Sequence, residues 1–210
     1  MSYLFHHLSL VLRLSAAHIV LVATALAIAL IIATPLAVLI SRKPRLGTPL
    51  LGFFGVIYTI PSLALFAFLI PVLGLGFWTA VVALAAYAQM ILIRNFSAAL
   101  SGVDAAAKEA AKGMGMSSVQ SLWRVEAPIA MPVAIAGVRL ATISLIGIAT
   151  VAAWINAGGL GVLVLDGIQH DYPQKAVAGA LAAVALSLLA DAVLRRAERR
   201  YRRHLAGRGV

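Results

Sequence analysis

The chain of 210 residues is 62% hydrophobic and only 11% charged, and 17 Lys and Arg against 7 Asp and Glu give it a net charge of +10. A soluble domain of this size cannot hide so much apolar surface, so the chain reads as a polytopic membrane protein. Cysteine is absent, which excludes disulfides, thiolate metal sites and cysteine nucleophiles.

Leu8 to Ile40 is apolar apart from Arg13, His18 and small hydroxylated residues. As one helix this run would measure about 50 Å, well beyond a hydrocarbon core of ~30 Å. The expectation is therefore a division, with residues 1–15 along the outer interface and a first span over residues 16–40. A cleaved signal peptide fits less well, because no basic stretch precedes the apolar run and the run is too long. Ser41-Arg-Lys-Pro-Arg45 is a basic loop, assigned to the cytoplasm by the positive-inside rule. A second span is expected over residues 49–69, containing Tyr58-Thr59-Ile60-Pro61-Ser62. Pro61 frees a backbone carbonyl there, which is tolerable only against protein or a cavity. Residues 71–76 make the outer turn, and a third span over 77–100 carries Arg94-Asn95 near its inner end.

A polar stretch, Asp104 to Pro128, then interrupts the apolar pattern. Asp104 is placed to cap a helix of strong helix formers that ends at Gly113 or Gly115. Ser117 with Gln120 reads as a capping box opening a second short helix, which Pro128 interrupts. Two short helices across a glycine hinge describe either a docking element on the membrane surface or an ordinary amphipathic loop.

A fourth span is expected over residues 129–155, with Arg139 about 15 Å deep and facing the bundle interior. The glycine-rich break at Gly158, Gly159 and Gly161 is not a phosphate-binding loop, since no Lys-Ser/Thr follows and no strand precedes; a tight turn with close helix packing suits it better. The segment from there to Lys175 is expected outside, with Asp166 and Asp171 solvated. The fifth span, residues 176–194, holds Asp191 near its inner end, and residues 195–210 form a basic cytoplasmic tail. Arg139 and Asp191 either pair with each other or bind backbone carbonyls and tail arginines respectively. Thirteen of the 17 Lys and Arg fall in the segments assigned to the cytoplasm, which puts the amino terminus outside and the carboxyl terminus inside. The fold class is all-α, with five spans over residues 16–194 and a cytoplasmic coupling segment at 101–127.

No catalytic constellation is present, and the five histidines lack metal-ligand spacing. The basic tail offers a single aromatic, Tyr201, so contact with anionic lipid suits it better than nucleic acid. A secondary transporter or channel is the competing class. It would be expected to show paired repeats or several intramembrane carboxylates, whereas Asp191 is the only one here.

Glu109-Ala110-Ala111, then Gly115, then Val125-Glu126-Ala127-Pro128 resembles the EAA motif of permease subunits in bacterial ABC importers. Val125 and Ala127 stand where that family has Ile and Leu. Tyr58 to Leu65, Arg94-Asn95, Gly113-Met-Gly-Met116, Gly137-Val-Arg139 and Ala157 to Gly161 are similar to the glycine betaine, choline and carnitine branch. The resemblance implies a type I importer permease in the bacterial cytoplasmic membrane. It implies two cytoplasmic ATPases that carry ATP and Mg, a second permease subunit, identical or a sister, and an external binding protein. This chain would itself bind no cofactor. Glu109, Ala110, Ala111, Gly113, Gly115 and Pro128 would couple to the ATPase. Tyr58, Thr59, Pro61, Ser62, Gly158, Gly159 and Gly161 are expected at the pathway or its outer gate. The aromatics are scattered along the spans, so no cage for a quaternary ammonium is built by helical spacing.

Overall fold

The computed structural model describes residues 6–206, and among them every regular element is helical. The first helix, α1 (Leu8–Arg42), is unbroken over 35 residues, so the expected division at residue 16 is not a helix break. Alanine, leucine and isoleucine propagate it, and Pro35 is carried inside it. Residues 1–5 of the expected interfacial segment lie outside the described residues.

A 3-10 turn at Pro44–Leu46 leads into α2 (Gly47–Thr59) and α3 (Ser62–Leu73). These two helices meet at an angle of 97° across Ile60-Pro61. The irregularity expected at Pro61 is therefore a full break, and the second span is a sharply bent pair. The cause is local: Ile60 and Pro61 are extended, with ψ of 129° and 137°, as the residue before a proline and a proline at a helix start prefer. After the turn at Gly74–Gly76 comes α4 (Phe77–Ser101), the best buried of the long helices.

The polar stretch forms α5 (Ala105–Gly113) and α6 (Ser118–Ser121), followed by a π turn at Leu122–Glu126. Pro128 does not interrupt the second short helix. It lies at the start of α7 (Ala127–Ala149), directly after the π turn, where the helix changes its bonding pattern. The fourth span ends at Ala149, short of the expected residue 155, because the chain tightens into a 3-10 turn at Val151–Ile155. The outer segment then contains a helix of its own, α8 (Gly161–Gln169). Finally α9 (Pro173–Ala206) runs through the expected span and on into the basic tail, which is helical as far as Ala206. Among the described residues four helices are long and apolar enough to cross a membrane, and the bent α2–α3 pair makes five if it counts as one span.

Packing rests on small residues. Ala25, Ala29, Ala33 and Ala37 form a fully buried row at four-residue spacing on α1, facing Ala80, Leu84, Ala88 and Leu92 of α4. In a bilayer the association of helices depends on such close van der Waals fit rather than on expulsion of water. Gln89 of α4 adds a cross-link by donating from Nε2 to the carbonyls of Ala29 and Ala85, each at 3.3 Å. Large apolar side chains such as Ile31, Phe68 and Val72 point outward, as in a protein whose solvent is lipid or a partner helix. The two ends of the bundle are closed by separate clusters. Val11, Leu160, Leu163, Ala178 and Ala183 gather at one, and Val38, Leu100, Val103, Leu122 and Ala130 at the other. The glycine loop thus lies at the end opposite the polar stretch.

Candidate functional site

The polar stretch is built by its caps. Asp104 accepts the N–H of Ala106 at 2.9 Å, which opens α5. Gly113 closes that helix, and Gly115 takes a left-handed φ of 75° that turns the chain. Ser117 and Gln120 then form a reciprocal capping box, with hydrogen bonds of 2.8 and 3.3 Å, opening α6. Of the residues expected to couple, Glu109 and Ala110 are exposed, Ala111 is buried and packs α5 down, and Pro128 is half-buried at the base. Met114, Val119 and Trp123 are each about two-thirds exposed, so apolar side chains stand out from this segment together with Glu109. Exposed apolar side chains beside an acidic one are the composition of an interaction surface.

Below the ridge sits a feature that spacing did not mark. Glu126 ends the π turn with 1% of its surface exposed. Its Oε1 accepts from the Arg42 guanidinium at 2.7 Å and from the Ser121 hydroxyl at 3.0 Å. Arg42, in the last turn of α1, also reaches the Ser118 carbonyl at 3.5 Å. In sequence Glu126 is one letter of a motif and Arg42 one cation of a basic loop. Only the fold brings them together. Beside them an apolar cavity of about 390 Å³ opens between α1, α4 and α7, bordered by Phe96, Trp123 and Met131. Its one polar wall residue, Thr34, spends its hydroxyl on the Leu30 carbonyl, so the cavity offers nothing to a charged solute.

At the α2–α3 break the carbonyl of Ile60 accepts the Tyr87 hydroxyl at 2.5 Å, and Tyr87 meets the Tyr58 ring edge-on at 6.0 Å. Thr59 turns its hydroxyl back to Val56, and Thr59 and Pro61 are exposed while Ser62 is half-buried. Tyr87 is the residue that the sequence reading missed here. Nothing in its own neighbourhood marks it out.

The glycine loop lies elsewhere, against His18. Thr150 donates its N–H to Gly147 at 3.2 Å, as the helix tightens, and so leaves the Ile146 carbonyl without its helical partner. His18 Nε2 fills that vacancy at 3.1 Å, while Nδ1 accepts the Leu160 N–H at 3.2 Å. Gly159 has φ +78°, and a Cβ there would stand 2.8 Å from His18 Nδ1. At Gly161 a Cβ would fall 1.8 Å from the Thr150 carbonyl oxygen. Gly158 is half-buried and meets no such obstacle. The proline break and the glycine loop thus have different polar partners, while α3 packs against the 3-10 turn that leads into the loop.

Arg139 lies 3.7 Å from Asp191 and 3.8 Å from Glu198, and Asp191 is also bonded to Arg195. The Arg139–Asp191 pair is thus present, Asp191 also reaches a tail arginine as the other alternative had it, and Glu198 takes the place of the backbone carbonyls expected for Arg139. In α8, Asp166 pairs with Lys175 and with His170, so it is not the simply solvated carboxylate expected; Asp171, in the turn that follows, is exposed. Asn95 packs against Gly137, which joins two of the resembling stretches.

An all-helical bundle with this capped polar segment between two of its spans defines a membrane permease subunit. Residues 25–203 match the family described as the binding-protein-dependent transport system inner membrane component, and the chain belongs to that family. The osmoprotectant import permease protein OsmW of Salmonella typhimurium is 39% identical over 199 residues, covering 92% of this chain and 93% of that protein. The glycine betaine/carnitine/choline transport system permease protein OpuCB of Bacillus subtilis is 37% identical, over 87% of this chain and 84% of that one. Among solved structures, a chain of the inward-facing MetNI methionine ABC transporter superposes with a TM-score of 0.81 at 22% identity, covering 92% of this chain and 97% of that chain. That likeness establishes the fold.

Proposed function

We propose that this chain forms the membrane pathway of an ATP-driven importer for quaternary ammonium osmoprotectants such as glycine betaine, choline or carnitine. The observation that carries the substrate class is the similarity, over nearly the whole chain, to permeases named for those compounds. Energy comes from ATPase subunits docked on the ridge of α5 and α6, where Glu109, Ala110, Ala111, Gly113 and Gly115 present the resembling motif above Pro128. ATP and Mg are held by those subunits. Two ATPases, two permease subunits and an external binding protein complete the assembly. The polar stretch and the basic tail face the cytoplasm of a bacterial cell, and the amino terminus faces outward. The motif and its exposed Glu109 favour this over a transporter or channel that works alone.

The test is uptake by proteoliposomes that contain this chain, its ATPase and its binding protein. Labelled glycine betaine should enter only with ATP present. Accumulation driven by a sodium or proton gradient, with the ATPase omitted, would overturn the assignment.

A further inference from the structure

The coupling ridge is attached to the bundle at two points, one on each side of its glycine hinge. On the α5 side, Lys108 donates from Nζ to the Leu100 carbonyl of α4 at 3.1 Å. On the α6 side, Glu126 is held by Arg42 of α1 and by Ser121 of α6. Between the two attachments lie Gly113 and Gly115, the latter with left-handed φ. A load on the ridge is therefore divided: α5 bears on α4, while α6 and the π turn run directly into α7 and are tied to α1 through Arg42.

We propose that the Arg42–Glu126 pair is the positioning contact that carries movement of the coupling segment into α1 during transport. This rests on the reading above that the ridge docks an ATPase. Three features support the assignment. Glu126 is a carboxylate almost wholly out of solvent, and a buried charge that loses its partner is strongly penalised, so the contact resists separation. It ends a π turn, a rare form that often marks functional sites, whose extra residue shifts the register of the side chains at the junction with α7. Arg42 lies in the last turn of α1, where a cation also suits the helix dipole, and its guanidinium touches α6 as well as Glu126. The α1 terminus, α6 and the π turn consequently move as one unit. The α1 helix then runs the length of the bundle to His18 and the glycine loop.

The experiment measures substrate moved per ATP hydrolysed by the complete transporter. Arg42→Ala and Glu126→Gln should still co-purify with the ATPase and hydrolyse ATP, with transport per ATP lowered roughly tenfold, within the usual range of a coupling between sites. Arg42→Lys, which keeps a cation, should recover much of the loss. A purely structural role would instead lower assembly and hydrolysis together. The charge-swapped double variant, Arg42→Glu with Glu126→Arg, gives a second arm. Each single reversal should be uncoupled, and the double variant should recover transport per ATP. Unchanged coupling in the single variants overturns the proposal, and so does a double variant no better coupled than either single one. If the wild-type complex itself takes up substrate without ATP, the ATPase-docking reading fails and this proposal falls with it.

Discussion

The ring of His18 joins α1 to the glycine loop through Leu160, 142 residues away, whose backbone N–H it accepts at 3.2 Å. Its other nitrogen faces the carbonyl of Ile146 at 3.1 Å. A carbonyl can only accept, so Nε2 bears the hydrogen and Nδ1 is the acceptor. One tautomer satisfies both groups. The close approach is possible because position 159 has no side chain.

His18→Ala leaves Leu160 N–H and Ile146 C=O buried without partners, at a cost of about 1–3 kcal/mol for each orphaned group. The thermal midpoint of the purified protein in detergent should fall accordingly. Asparagine at position 18 keeps one donor and one acceptor and should recover part of the loss. A midpoint unchanged in His18→Ala would mean that the two backbone groups find other partners.

The glycine loop should respond unevenly to substitution. Gly161→Ala places a methyl 1.8 Å from a backbone oxygen that cannot move without unravelling the end of α7, so folded protein should be lost. Gly158→Ala meets nothing within 4 Å and bears only the left-handed backbone, a penalty of about 1–2 kcal/mol. Expression and monodispersity of the two variants in detergent measure the contrast. Equal tolerance would contradict the packing described here.

Much of this architecture was legible in the residues, because caps and apolar runs are local signals. Asp104, Ser117 and Gln120 announce their helices within a few positions, and the structure shows each cap in place. Contacts between distant stretches leave no such trace. Nothing near Glu126 specifies Arg42, and nothing near Ile60 specifies Tyr87. The bend of 97° was half legible: Pro61 signals a break, but its size follows from two extended residues in succession. The continuity of α1 was missed because length alone was set against bilayer thickness, whereas Val11 packs into the cluster around Leu160 and Leu163 on the same helix.

Arg139 should prove coupled to two carboxylates rather than one. Its Nε and the Oε2 of Glu198 are buried without a hydrogen bond, and the separations of 3.7 and 3.8 Å are ion-pair contacts only. Asp191 keeps Arg195 when Arg139 is removed, so the Arg139–Asp191 coupling should be modest, about 0.5–1 kcal/mol in a double-mutant cycle. Additive losses for Arg139→Ala with either Asp191→Ala or Glu198→Ala would leave no network to explain.

Glu109 stands exposed on α5, and among the described residues no ion pair occupies it. Removal should therefore leave the isolated permease as stable as the wild type. In the assembled transporter the same carboxylate, docked against a basic groove, would be partly desolvated, and its loss should cost a few kcal/mol, about 3. Glu109→Ala should thus weaken co-purification with the ATPase or reduce transport per ATP, with the detergent melting point unmoved. Unchanged assembly and uptake would make Glu109 a solvated surface charge.

The proline break and the glycine loop are expected to differ in how a soluble reagent reaches them. Thr59 is exposed, beside an extended Ile60-Pro61 whose one free carbonyl is taken by Tyr87. If that face lines a watery pathway, a charged, membrane-impermeant thiol reagent will modify Thr59→Cys, and bound substrate will slow the reaction. If the face meets lipid, the reagent will not react, since a thiol in hydrocarbon stays protonated and the charged reagent is excluded. Ser62→Cys, half-buried at the start of α3, should react more slowly in the same series. Gly159→Cys should stay unlabelled, because that position is buried against His18. The parent chain contributes no background cysteine. Tyr87→Phe removes the hydroxyl that holds the Ile60 carbonyl, at a cost of about 1 kcal/mol, and should raise the labelling of Thr59→Cys by loosening the break. Failure of Thr59→Cys and Ser62→Cys to react with or without substrate would place the break in lipid or packed protein, and would remove both residues from the pathway.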